Sequence, residues 1–156
     1  MRALIQRVSG GAVSVNGEEV GRIGRGIVVL VGVGRDDTSE TARRLAERTA
    51  NLRIFPGPGG EFDRSLLDEQ LAALVISQFT LYADTRRGRR PSFVDAAPAE
   101  AAAPLVDVFA DRLRQLGIGV AAGRFGAHML VEIWNDGPVT VLLEEPTRPP
   151  SLDRPS

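Results

Sequence analysis

Gly26-Ile27-Val28-Val29-Leu30-Val31-Gly32-Val33 is a continuous run of β-branched and aliphatic residues bounded by glycine. A run without polar/apolar alternation fits a strand buried on both faces, so it is assigned to the centre of a sheet. On its N-terminal side, residues 2–8 read as a strand. Residues 12–15 alternate up to Asn16-Gly17, the strongest two-residue hairpin signal, and residues 18–23 return from that turn. On its C-terminal side, Asp37 followed by Glu40 resembles a capping box. Ala42, Leu45, Ala46, Thr49 and Leu52 then recur at helical spacing, which predicts a helix over 38–52 with Arg43, Arg44 and Arg48 as solvated charge on or near its outer face.

Residues 55–60, Phe-Pro-Gly-Pro-Gly-Gly, interrupt regular structure, and 63–68 hold only a short strand. Pro98 suits a first helical turn. Leu105, Val106, Phe109, Leu113 and Leu116 form an apolar stripe closed by Gly117, with Pro104 expected to kink the helix or delay its start. Residues 118–122, 127–135 and 139–145 read as three more strands. Two helices on a largely antiparallel sheet place the chain in the α+β class. Residues 1–145 are expected to form one domain. Residues 146–156, with four prolines, are expected to be a disordered tail.

Composition narrows the chemistry. The 156 residues carry a formal net charge of -1, no cysteine and one histidine, which removes disulfides, thiol nucleophiles and the common Cys/His zinc sites. Gly32-Val33-Gly34 follows a strand, but no third glycine arrives in register for a dinucleotide site. No signal peptide or membrane span is evident, so a soluble, cytoplasmic protein is expected. All basic residues are arginine, which reads as codon bias. A pI near 5.9 confines any nucleic-acid contact to a local patch.

Two stretches carry polar groups that need an explanation. Residues 74–83, Leu-Val-Ile-Ser-Gln-Phe-Thr-Leu-Tyr-Ala, read as an apolar strand with Ser77, Gln78 and Thr80 set into it, each requiring a partner or a ligand. Residues 84–93 follow with four arginines and one aspartate, either a solvated loop or a grip for phosphates. Asn135-Asp136-Gly137-Pro138-Val139-Thr140 is either a hairpin turn with proline at a strand start, or a cis Gly-Pro pair whose carbonyl oxygens accept from an ammonium group.

Together, Ser77-Gln78-Phe79-Thr80-Leu81 and residues 135–140 resemble the two signature motifs of the D-aminoacyl-tRNA deacylases. The resemblance extends through Gln6-Arg7-Val8, Asn51-Leu52-Arg53-Ile54-Phe55, Asp84-Thr85-Arg86 to Phe93, and Phe125-Gly126-Ala127, nearly all of residues 1–145. It implies a barrel-like core and a homodimer that hydrolyses the ester between a D-amino acid, or glycine mischarged on tRNA-Ala, and the terminal adenosine of tRNA. Neither cofactor nor metal is implied, and neither DNA nor membrane as a partner.

By the same resemblance, Ser77, Gln78, Phe79 and Thr80 would form the catalytic lining, with the N–H groups of Phe79 and Thr80 holding the 3′ nucleotide and the polarised carbonyl. Gly137 and Pro138 would enter from the second subunit to select chirality, locked by Arg7, and Met129 and Asn135 would belong to the pocket. Arg86, Arg87, Arg89 and Arg90 are then placed to grip the acceptor stem. His128 departs from the acidic residue common before the methionine, and Trp134 is unusual. On a strand these two share a face with Leu130 and Glu132, and His128 reads as structural.

Ester cleavage needs a nucleophile, a proton acceptor and oxyanion stabilisation. Thr80 is a candidate nucleophile, yet no histidine or carboxylate lies at a recognisable spacing to activate it. The resemblance supplies an alternative, the ribose 2′-hydroxyl of the substrate. The rival readings are a non-catalytic tRNA-binding module, like the resembling editing domain of some archaeal threonyl-tRNA synthetases, and a hydrolase of small esters.

Overall fold

A computed structural model describes residues 1–147; the expectation of a tail over 146–156 falls, from residue 148 on, outside the described residues. The elements in chain order are β1 (Arg2–Val15), β2 (Glu18–Ile23), β3 (Gly26–Gly32), α1 (Ser39–Asn51), β4 (Arg53–Gly57), β5 (Gly60–Ser65), α2 (Leu66–Glu69), β6 (Ala72–Ser77), a 3-10 turn (Phe79–Tyr82), α3 (Ala99–Gln115), β7 (Gly119–Ala122) and β8 (Leu130–Glu144). The main sheet runs β2-β1-β3-β6-β7 with β8 on β1, and β4-β5 forms a separate hairpin. The class is α+β, with a sheet curled nearly into a barrel. Its antiparallel pairs outnumber two parallel ones, β3 with β6 and β6 with β7.

The β3 run is interior, as its sequence predicts. Ile27, Val29 and Val31 face a core under the helices with Ala3, Ile5, Leu45 and Phe109. Val28 faces the inside of the curl with Val8, Val13, Leu74 and Ile76. β1 is one strand rather than two because it changes partner along its length. It pairs β3 through residues 2–8 and β2 through 11–15. Gly11 lies at that crossing, where a Cβ would stand 2.8 Å from Val28 Cγ2, so a larger residue would have to push Val28 aside.

α1 is capped by Thr38, whose hydroxyl accepts from Thr41 N at 3.3 Å, so the capping box lies one residue later than Asp37 and Glu40 suggest. α3 starts after Pro98 and runs through Pro104, with Gly117 at φ +94 just past its end. A short third helix, α2, follows β5. Arg44 and Arg48 are not merely solvated: both reach Glu145, at 2.9 and 2.8 Å, and tie the end of β8 to α1.

β8 corrects the two-strand reading of residues 127–135 and 139–145. The chain does not reverse at Gly137-Pro138, because both halves pair with β1: Ser14 opposite Leu130 through Val8 opposite Asn135, then Gln6 opposite Thr140 through Arg2 opposite Glu144. Residues 136–139 bulge from this ladder opposite Arg7. The hairpin alternative therefore fails, and the Gly137-Pro138 peptide is cis. The strand also begins later, at Leu130, because residues 124–127 close a turn with Gly126 at φ +76.

Candidate active site

The first polar stretch is not a strand with polar residues in its middle. β6 ends at Ser77, Gln78 N makes the last rung to Val31 O at 2.8 Å, and residues 79–82 turn into a 3-10 helix. The ladder stops because its partner β3 ends at Gly32, where a Cβ would lie 3.0 Å from Leu81 Cβ and 3.1 Å from Gln78 O. Ser77 and Gln78 are half-buried, and Phe79 and Thr80 are exposed. Gln78 Nε2 donates to Thr80 Oγ1, and no buried side-chain polar atom among the described residues lacks a partner. The first N–H groups of a 3-10 turn, here those of Phe79 and Thr80, have no acceptor inside the turn. Arg2 steadies the turn by donating to Leu81 O at 2.6 Å while its guanidinium stacks 4.5 Å over Tyr82.

Beside this turn lies a cavity of about 630 Å³ whose wall includes Ser77, Gln78 and Phe79, the start of α3, and residues 125–129. Met129 is on the wall as expected. Its sulfur occupies the space beside Gly123, where a Cβ would stand 2.5 Å away. Phe93 and Phe125, which pattern reading does not single out, also line it, and Phe93 meets Phe79 edge-on with centroids 4.9 Å apart. No periodicity marks either ring, since both sit in irregular loops. His128 lies at the cavity as the single titratable residue of its lining, exposed and two residues ahead of β8, so the strand face expected to carry it with Leu130, Glu132 and Trp134 starts only at Leu130. Thr80 and Asn135 are not on this wall.

The second stretch is built around Arg7, which is only 6% exposed. Its Nε donates to Asp136 O at 2.8 Å, its Nη1 to Ile54 O at 2.8 Å, and its Nη2 pairs with Glu61 at 3.2 Å. One guanidinium thus joins the bulge to the β4-β5 hairpin. Asn135 closes the bulge from within. Its Oδ1 accepts from Val139 N at 2.9 Å, and its Nδ2 donates to Val139 O and Thr140 Oγ1. Gly137, at φ +145, and Pro138 stand exposed at the apex. A Cβ on Gly137 would lie 2.8 Å from Val139 Cγ2.

Within one chain the two stretches do not meet. Across the sheet the order is β8-β1-β3-β6, three strand spacings, or about 14 Å. Along it, the bulge is level with Arg7, and Arg7 is level with Ile27 and Ala73, whereas Ser77 lies four residues further on. That adds about 13 Å at 3.3 Å per residue, so ideal strand spacings put the two stretches roughly 20 Å apart along the sheet. Between them the sheet presents Leu4, Leu30 and Leu142 side by side, with Leu142 49% exposed.

The basic loop is closed at its neck by Asp84 and Ser92, which exchange backbone hydrogen bonds of 2.7 and 2.9 Å. Arg86 forks onto Asp84 through Nε at 2.9 Å and Nη2 at 2.8 Å, while its own N–H donates to the same carboxylate at 3.1 Å. These bonds hold the Asp84 carboxyl down at about 2. Arg87, Arg89 and Arg90 are exposed around Gly88. Among the described residues, no group of three His, Cys, Asp or Glu side chains is arranged to hold a metal ion. No described helix is long and apolar enough to cross a membrane.

A family model described as D-Tyr-tRNA(Tyr) deacylase matches residues 4–144. A D-aminoacyl-tRNA deacylase of Roseiflexus sp. (strain RS-1) is 64% identical over 144 residues, covering 92% of this chain and 93% of the relative. One from Thermomicrobium roseum is 56% identical, covering 92% and 94%. Among solved structures, a c-Myc DNA unwinding element binding protein superposes with a TM-score of 0.88 at 40% identity, covering 94% of this chain and 99% of that one. A protein described as a probable eukaryotic D-amino acid tRNA deacylase, at 21% identity and a TM-score of 0.80 over 91% and 97%, shares the fold.

Proposed function

The chain belongs to the D-aminoacyl-tRNA deacylase family and is a hydrolase of aminoacyl-tRNA esters, and from that premise we propose a homodimer whose every site joins the turn at residues 77–80 of one subunit to the bulge at Gly137 and Pro138 of the other. What supports this reading is the strand order and register, which set the two stretches three strands and four residues apart in one chain, roughly 20 Å along the sheet at ideal strand spacings, beyond the span of an aminoacyl ester. Exposed Leu142, with half-buried Leu4 and Leu30 beside it, supplies the face on which a second copy packs, and a two-fold axis through that face brings each turn to the other chain's bulge. We read residues 1–145 as one deacylase domain, a reading supported by the match over residues 4–144, and the protein as cytoplasmic.

In this site the substrate is a D-aminoacyl-tRNA or glycyl-tRNA. The cavity receives the terminal nucleoside between Phe79, Phe93 and Phe125, with Met129 beneath. The N–H groups of Phe79 and Thr80 hold the ester carbonyl and stabilise the oxyanion that forms when water adds to it. The carbonyls of Gly137 and Pro138, held by Arg7 and Asn135, accept from the substrate ammonium. An L side chain is driven against them, while a D side chain or the hydrogen of glycine points away. Thr80 is not the nucleophile in this account: the partner its hydroxyl has among the described residues is the Gln78 amide N–H, a donor that cannot take its proton. The substrate 2′-hydroxyl relays the proton from water to the departing 3′-oxygen, so the acyl group leaves as the free amino acid. Arg87, Arg89 and Arg90 lie on the approach of the acceptor-stem phosphates.

The test is deacylation of D-Tyr-tRNA and L-Tyr-tRNA in parallel. Loss of the D-ester alone supports the proposal. Loss of neither leaves a tRNA-binding module, and equal loss of both leaves an unselective esterase.

A further inference from the structure

The four loop arginines do not have equal standing. Arg87, Arg89 and Arg90 extend from the loop around Gly88, whereas Arg86 forks onto Asp84 at the loop's neck with two guanidinium bonds, and its backbone N–H adds a third. Moving the Arg86 guanidinium to a phosphate would leave the Asp84 carboxylate with the backbone N–H of Arg86 but without its counter-charge beside that phosphate, so the fork also offsets a repulsion. The neck matters because Asp84 is laddered to Ser92, and the next residue, Phe93, meets the ring of Phe79 on the cavity wall.

We propose that Arg86 is a positioning residue rather than a phosphate contact: forked onto Asp84, it sets the neck of the basic loop and thereby holds Phe93 against Phe79 at the cavity wall. This rests on the reading of the cavity as the nucleoside site. It assigns the phosphate grip to three arginines, each worth about 0.7–0.9 in the slope of log affinity against log salt. It also separates Arg86 from lysine, since an ammonium serves a phosphate as a point charge but cannot reproduce the fork on a carboxylate.

The experiment compares Arg86→Ala, Arg86→Lys, Asp84→Asn, the double variant Asp84→Asn/Arg86→Ala, and Arg87→Ala in the full chain. The readouts are the salt slope for uncharged tRNA, kcat and KM on D-Tyr-tRNA, and the aromatic resonances of 13C-phenylalanine-labelled protein. The proposal expects Arg86→Ala and Arg86→Lys to keep the salt slope, to raise KM roughly threefold to tenfold, and to shift the Phe79 and Phe93 resonances, with the double variant no worse than either single one. Arg87→Ala should lower the slope without moving those resonances. A slope lowered by Arg86→Ala and restored by Arg86→Lys, or unmoved phenylalanine resonances, overturns it. If the wild type spares the D-ester while the resonances still move, the deacylase reading has failed and the positioning role stands.

Discussion

Arg7 Nε lies 2.8 Å from the carbonyl oxygen of Asp136, which makes a buried strand residue the anchor of an exposed bulge 129 positions away in sequence. Arginine suits this place because three nitrogens of one planar group reach three separate acceptors on β8, β4 and β5. The same contact carries the site's geometry and part of the fold's stability.

Replacing Arg7 by lysine should therefore separate the two. Lysine keeps the charge but leaves acceptors at Asp136 or Ile54 without a donor, at a cost of about 1–3 kcal/mol. Activity should fall further than stability, by tenfold or more in kcat/KM. Thermal denaturation alongside steady-state deacylation measures both.

The leucine face is expected to be the subunit interface. Leu142→Asp places a charge where Leu4 and Leu30 are to be covered, and should yield a monomer without deacylase activity that still folds, since Leu142 is 49% exposed in the single chain. Sedimentation and circular dichroism provide the readouts.

Thr80→Ala removes a hydroxyl whose partner among the described residues is Gln78, and should lower kcat no more than tenfold. A tRNA ending in 2′-deoxyadenosine should lose far more with the wild-type enzyme, on the order of the 10²–10⁴ that general acid–base groups contribute. Abolition by Thr80→Ala with normal tRNA binding would return Thr80 to the role of nucleophile.

Glu145 supplies a pH dependence. Burial raises its pKa, but hydrogen bonds from Arg48 and Arg44 and their charges outweigh this, and the carboxyl is held below its ordinary value. A depressed carboxylate contributes stability that is full above the unfolded value of about 4.3 and is lost as pH falls through the lower folded value. At pH 7, Glu145→Gln should cost about 2 kcal/mol, or roughly 4–8 °C in Tm. The gap to wild type should close as the pH is lowered below roughly 4.

The elements were largely legible because their apolar patterns are local. The β3 run, the Asn16-Gly17 turn and the helix ending at Gly117 appear where they are read. Features set by distant pairing were not. Residues 130–144 look like two strands until both halves are seen to ladder on β1, and residues 78–82 look like a continued strand until Gly32 ends their partner. Motif likeness located the candidate residues, but not their contacts. It could not show that Asn135 closes the bulge instead of lining the cavity, that Arg86 is tied to Asp84, or that loop rings at Phe93 and Phe125 form the wall.

The composite site is tested most directly by complementation. Phe79→Pro removes an N–H and a ring at a position whose 3-10 backbone proline tolerates, while Gly137→Ala displaces the bulge. Each homodimer should be inactive on D-Tyr-tRNA. Random re-pairing of the two in equal amounts makes half the dimers mixed, each with one of its two sites intact, so activity should return to about a quarter of wild type. Mixtures as inactive as the separate variants would place both motifs in one chain's site and contradict the account.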